Sequence, residues 1–316
     1  MLNILSITAP IYVLIALGFF AVRWNVFTKE DAGRLGKFVL ILALPALLFR
    51  TLSQRSFAEI FDVAYLAAYG AGSLLVFFAA FYLARLRRKG DVSFRALYGM
   101  GMSFSNSGFV GYPILSQWLG EKASVALALG MLIENLILLP LMLVLAESGR
   151  DDGAGGWRMM LRSLGGLAAN PMIVAIVAGF AFASLGIRLP VPVLRSVDML
   201  ADSSAPLSLF VIGGSLVGLK IQGMIRDIAE IALGKLILHP LAVVLILWLL
   251  PPIDPAFRAA AIGYASMPML SIYPILGQKY QLEGFCAAAL LLVTWLSFFT
   301  ISALLWCLGE VSHLVV

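Results

Sequence analysis

Apolar runs of membrane-spanning length, divided by short polar connectors, occupy nearly the whole chain. They fall near residues 2–22, 37–52, 63–86, 94–119 and 124–145, then 168–187, 199–219, 231–250, 257–276 and 284–308. A helix needs roughly 20 apolar residues to cross a bilayer. Ten such helices use most of the chain, and no gap is long enough for a separate soluble domain. The second run is the shortest and contains Pro45. The first run has no Lys or Arg before Arg23. It therefore lacks the basic start of a secretory signal and reads as a retained helix.

Composition agrees with this pattern. Of 316 residues 61% are hydrophobic and 12% charged, with mean hydropathy +0.99. Soluble domains hold about twice that share of charge, so the apolar excess must face lipid. The two cysteines, Cys286 and Cys307, lie too far apart on one predicted helix to pair. The net charge of +5 does not call for nucleic acid, because the basic residues sit between apolar runs. Odd-numbered connections carry Arg23, Lys29, Arg34, Lys37, Arg85, Arg87, Arg88, Lys89, Arg95, Arg150, Arg158, Arg162, Lys220, Arg226 and Lys279. Even-numbered ones carry only Arg50, Arg55, Lys122, Arg188, Arg195 and Arg258. Lys235, near the expected start of the eighth run, is left out of that tally. The positive-inside rule makes the odd connections cytoplasmic and both termini external. Lys37 and Arg50 read as side chains that snorkel to opposite interfaces. Arg87, Arg88 and Lys89 read as an anchor at the anionic leaflet.

The halves repeat at an offset of 161 residues. Pro10, Gly18 and Pro45 match Pro171, Gly179 and Pro206, and Tyr112-Pro113-Ile114-Leu115 matches Tyr273-Pro274-Ile275-Leu276. The predicted units are residues 1–146 and 165–316, joined by a cytoplasmic linker at 147–164. Five spans is an odd number, so the second copy enters the membrane from the opposite side. The expected fold is thus an all-α integral membrane protein of ten transmembrane helices in two inverted five-helix repeats. Secondary transporters commonly use such repeats for alternating access.

Two corresponding spans are punctured. Gly108, Gly111 and Pro113 interrupt the fourth, beside Ser105, Asn106 and Ser107; Pro268 and Pro274 interrupt the ninth, flanked by Ser266 and Ser271. Open backbone at lipid depth survives only where protein or a wet cavity satisfies it. Half-helix N-termini carry partial positive charge and suit a carboxylate. The residues expected at a substrate site are Ser105, Asn106, Ser107, Gly108, Gly111, Pro113, Ser266, Met267, Pro268, Ser271 and Pro274.

The segment S-N-S-G-F-V-G-Y-P-I-L, followed by E-N-L-I-L-L-P-L at 134–141, resembles the auxin efflux carrier family. That family includes bacterial malonate- and malate-type carriers and the plant auxin exporters. The resemblance covers essentially the whole chain. It implies a fold similar to the bile-acid:sodium symporters, with broken helices 4 and 9 crossing at midplane. It also implies a scaffold of helices 1, 2, 6 and 7, often a homodimer interface, a transport domain of helices 3–5 and 8–10, and an elevator-like movement. Two departures stand out. The polar stretch between the halves, 147–157, is short, which argues against regulation through a long phosphorylated loop. Met267 stands where the repeat register places Asn106.

Glu134, within the fifth span, reads as a proton carrier or, with Asn135 and the Ser105–Ser107 run, as an oxygen donor to sodium near Asn106. A structural hydrogen bond is the simpler account. Asp202 and Ser203 read as scaffold-side contacts or helix-end caps. His239, before Pro240, could titrate near neutrality or simply bond a carbonyl. The expected function is secondary transport of small organic anions, mono- or dicarboxylates, in a bacterial inner membrane. No cofactor is expected, and a proton or sodium is the expected coupling ion. Beyond the substrate, the expected partners are membrane lipid and a second copy of the chain. An anion channel, or less so an intramembrane enzyme, is the alternative.

Overall fold

In the computed structural model, residues 2–54, 62–87, 92–148, 169–218 and 225–313 are described, and no strand occurs among them. The linker expected at 147–164 falls almost wholly outside the described residues, as do Arg55, Arg88, Lys89, Arg150, Arg158, Arg162 and Lys220. The helices are α1 (Leu2–Arg23), α2 (Lys29–Ser53), α3 (Val63–Arg87), α4 (Val92–Ser103), α5 (Tyr112–Leu119) and α6 (Glu121–Ser148). They continue as α7 (Pro171–Leu185), α8 (Val191–Ser215), α9 (Ile225–Leu249), α10 (Pro255–Ala265), α11 (Tyr273–Gln278) and α12 (Glu283–His313). Among the described residues five stretches are long and apolar enough to cross a membrane: Lys29–Ser53, Val63–Leu86, Glu121–Ser148, Ile225–Leu249 and Glu283–Leu304.

Proline shapes these helices in a regular way. Wide π-turns occur at Val39–Ala43, Ser107–Gly111, Glu134–Leu138 and Gly234–Leu238. Each ends two residues before a proline: Pro45, Pro113, Pro140 and Pro240. A proline ring clashes with the carbonyl one turn back and leaves it without a donor. Widening the preceding turn relieves the clash and lets the helix continue. Pro45 therefore does not break the second span, which runs unbroken from Lys29 to Ser53.

Both expected interruptions are present; the ninth contains Pro268, whereas the fourth lies just before its glycines and proline. In the fourth span the non-helical residues are 104–106, between α4 and the π-turn. Gly108 and Gly111 belong to that π-turn, and Pro113 sits in the first turn of α5. The helix runs on from Ser107 through Pro113 to Leu119, so the π-turn accommodates this proline as it does Pro45. Pro274 opens α11, where a missing N–H has no intrahelical acceptor to lose. In the ninth span the helix is lost from 266 to 272, with Pro268 inside the gap.

The chain divides into two compact units. The first comprises 1–63, 107–129 and 167–218. In it α1 and α8 approach so closely that a Cβ on Gly18 would run into the carbonyl of Phe210, and one on Gly213 into the carbonyl of Ile15. Small residues let membrane helices make such backbone contact. A Cβ on Gly179 of α7 would likewise lie 2.8 Å from Cβ of Leu52 on α2.

The second unit comprises 64–106, 130–166 and 219–316. Gly72 of α3 packs against Val243 of α9, where a Cβ would come within 2.7 Å of the valine side chain. Polar ties reinforce the packing. The Ser93 hydroxyl donates to the Ala146 carbonyl at 2.7 Å, Tyr98 to Glu230 at 2.7 Å, and the buried Tyr273 to the Leu97 carbonyl at 2.9 Å. At an exposed end Lys279 pairs with Glu147 at 2.6 Å.

Candidate functional site

Within the second unit the two breaks meet. The backbone N–H of Asn106 donates to the carbonyl of Pro268 at 2.7 Å, and its side-chain Nδ2 donates to Oγ of Ser271 at 2.7 Å. Open backbone in one gap is thus satisfied by open backbone in the other, as a water-poor interior requires. Ser105 and Asn106 are both buried, at 0% and 2% exposure. Ser266 is turned away: its hydroxyl donates to the Ile262 carbonyl one turn back at 2.8 Å. Met267 is buried and apolar.

Around this meeting point lies a polar cluster whose centre the sequence reading passed over. Lys235, fully buried, sends its Nζ to three acceptors. These are Oγ of Ser105 at 2.9 Å, the Ala265 carbonyl at 2.7 Å and Nδ1 of His239 at 2.7 Å. An ammonium there would direct all three of its hydrogens to these groups. Nε2 of His239 lies 2.9 Å from Ser73 Oγ, and the direction of both imidazole bonds follows the ring's tautomer. His239 thus lies against the side chains of Lys235 and Ser73.

Glu134 joins from α6. Its Oε1 accepts the Tyr69 hydroxyl at 2.7 Å, and Tyr69 is itself within hydrogen-bonding reach of Ser105. The carboxylate lies close enough for its charge to act on Lys235. Glu134 and Lys235 are the first and second residues of two π-turns, a local widening common at functional sites. Asn135, beside it, donates an amide N–H to the Met131 carbonyl of its own helix at 2.9 Å.

The first unit carries a different polar feature, a cavity of about 790 Å³ whose lining includes Arg50, Gln54, Tyr112, Ser116, Asp198 and Asp202. Arg50 pairs with Asp202 at 2.8 Å and faces Asp198 at 3.7 Å, and it is within hydrogen-bonding reach of Tyr112. Arg50 is therefore an ion-paired residue of this cavity. Asp202 sits mid-helix in α8, which excludes an end cap. Ser203 donates to the Leu200 carbonyl at 2.6 Å.

The signal that could have found Lys235 was present. The run I-A-L-G-K-L-I-L-H-P places a cation inside apolar sequence, which marks function by default. The eighth helix begins at Ile225, six residues before the expected start, so Lys235 is ten residues in rather than at an end.

Comparison with known proteins supplies the identity of this architecture. The membrane transport protein family matches residues 4–155 and 156–307. The chain belongs to that family. As a member of the membrane transport protein family it is similar to a Rhizobium meliloti (strain 1021) protein named "Putative malonate transporter". The two are 29% identical over 310 residues, 97% of this chain and 96% of the relative. It is 27% identical over 247 residues to uncharacterized transporter YfdV of Escherichia coli (strain K12), covering 75% of this chain and 76% of that one. Auxin efflux carrier component 2 of Arabidopsis thaliana shares 24% identity over 148 residues, 46% of this chain and 23% of the plant protein. The resemblance to auxin efflux carriers thus holds, and these relatives carry transporter names rather than enzyme names.

Proposed function

We propose that this membrane transporter is a secondary carrier of small organic anions, mono- or dicarboxylates, that binds its substrate where the two interrupted spans meet. The observation that carries the reading is the pair of Asn106 bonds to Pro268 and Ser271 across the two gaps. Open backbone kept at matched places in two spans is the mark of a solute site in transporters. After the first gap the chain re-enters helix from Ser107 to Leu119, and the positive end of that helix suits a carboxylate. The malonate name of the Rhizobium relative supports the same substrate class.

On this reading ten spans form two inverted five-helix repeats, with both termini external and the odd connections in the bacterial cytoplasm. Helices 1, 2, 6 and 7 form the scaffold and the homodimer interface, while helices 3–5 and 8–10 carry the site across in an elevator-like movement. Support comes from the first compact unit, which holds spans 1, 2, 6 and 7, together with the second half of span 4 and the start of span 5. The coupling ion is a proton or sodium.

The test is counterflow in proteoliposomes of purified protein, loaded with unlabelled malonate and offered labelled malonate, then a panel of mono- and dicarboxylates. Accumulation of label against its gradient is expected. Conductance without counterflow would assign a channel, and no flux for any acid on the panel would remove the anion reading.

A further inference from the structure

Within the second unit, where the end of α3 meets the start of α4, two arginines stand together without an acid. Arg95 of α4 lays its guanidinium over the Phe81 ring of α3, 4.0 Å from the ring centroid. Its Nε is buried and has no hydrogen-bond partner among the described residues. Arg85 of α3 lies close enough for its charge to act on Arg95, and the Tyr82 hydroxyl is also near enough to act on it. No described carboxylate pairs with either guanidinium. A buried donor without an acceptor is costly, and like charges so placed repel. An anion with several acceptor oxygens would relieve both, and guanidinium groups match the geometry of a phosphate.

The adjoining surface points to what carries that phosphate. Leu75, Phe78 and Tyr82 are all exposed. Their spacing puts them, with Arg85, in one stripe along α3. The stripe is apolar up to the Tyr82 hydroxyl and ends at the arginines. From Leu75 to Arg85 the helix rises about 15 Å, which matches the hydrocarbon depth of one leaflet, about half of 30 Å. We propose that Arg85 and Arg95 bind the phosphate of an anionic phospholipid whose acyl chain lies along Leu75, Phe78 and Tyr82. On the orientation given above this lipid belongs to the cytoplasmic leaflet, where anionic headgroups concentrate. A choline headgroup would bring its own cation to a place that already holds two. The site joins α3 to the first half of the interrupted fourth span. It is saturable, unlike the diffuse attraction of a basic connection to a charged surface. It depends on the chain lying in a bilayer and not on which solute is carried.

The test uses the full chain, purified in detergent and stripped of lipid. Its melting temperature is measured with added phosphatidylglycerol, with phosphatidylcholine of the same acyl chains, and with inorganic phosphate. Phosphatidylglycerol should raise it saturably by about 2–5 °C, and the other two should not. No shift with phosphatidylglycerol would overturn the proposal. An equal shift with phosphatidylcholine would reduce the effect to chain packing, and an equal shift with phosphate would assign a soluble anion; either would overturn the lipid assignment. Arg85→Gln, at an exposed position, should lose most of the shift. Arg226→Gln, which alters an exposed arginine paired with Glu230 on α9, should keep it. If Arg85→Gln responds like the wild type, the proposal falls. Arg95→Met keeps apolar contact with Phe81 and removes the charge and the orphan donor. Without lipid it should melt no lower than the wild type, and phosphatidylglycerol should no longer raise it. A clear loss of stability without lipid would mean that the fold itself uses Arg95, and would overturn its part in the site.

Discussion

Arg50 and Lys235 are both basic residues within helices of a membrane transporter, and they are held in opposite ways. Arg50 lies in a polar cavity, and its main partner, Asp202, keeps 71% of its side-chain surface exposed. Lys235 has no exposed surface and is tied to a hydroxyl, a carbonyl and an imidazole. Water can replace the partners of the first and cannot reach those of the second. The energetic weight of the two should therefore differ severalfold, although the ion-pair distances of Arg50 are those of a good salt bridge. Solvated pairs contribute about 0–1 kcal/mol, whereas removing one member of a buried charge cluster costs about 3–5 kcal/mol.

The sharpest way to break that comparison is Glu134→Gln. The amide oxygen still accepts the Tyr69 hydroxyl, so the substitution removes charge and little else. The Lys235 ammonium would then be buried without its carboxylate, at an expected cost of about 3 kcal/mol. The measurement is melting temperature in detergent. A variant as stable as the wild type would mean that the cluster is held by hydrogen bonds alone.

Next in size is Asn106→Ala. It keeps the backbone bond to Pro268 and deletes the amide bond to Ser271. Losing a hydrogen bond to the half-buried Ser271 hydroxyl costs about 0.5–1.5 kcal/mol. Counterflow should fall more than stability does, because the lost bond ties one gap to the other. Equal loss in both, or in neither, would show that Asn106 is packing material.

Arg50→Ala should be milder for stability, about 1 kcal/mol or less, and the difference should shrink further as salt is raised. A loss as large as that of Glu134→Gln would erase the contrast between the two basic residues. It would place Arg50 among the groups that hold the first unit together.

The sequence made some of this visible and hid the rest for physical reasons. Breaks were legible because Ser, Asn, Gly and Pro stand out in an apolar background. The extent of the first was not, because proline acts on the turn before it: the π-turn at Ser107–Gly111 absorbs Pro113, whereas Pro268 lies inside the second gap. Glu134 was conspicuous as a lone carboxylate in the fifth span. Lys235 on α9 was read as a lysine at a helix start because the beginning of that helix is polar, Arg226 and Asp227 preceding the apolar run. The Arg50 pairing joins residues 152 apart, and hydrophobic periodicity on one helix carries no information about a side chain on another.

The smallest expected effects come from the two serines of the second gap, and here the comparison is internal. Both were candidates on the same ground, a hydroxyl beside an interruption. Ser266 spends its hydroxyl on the Ile262 carbonyl within its own helix end, a bond the chain makes locally and gains little from. Ser271 receives Asn106 from the other gap. Ser266→Ala should therefore change melting temperature and counterflow hardly at all, within about 0.5 kcal/mol. Ser271→Ala should reproduce part of the Asn106→Ala loss, and the double variant should lose little more than the worse single one, because both delete one bond. Additive losses would mean that Asn106 and Ser271 serve separate partners, and the direct link between the two interrupted spans would lose its energetic support.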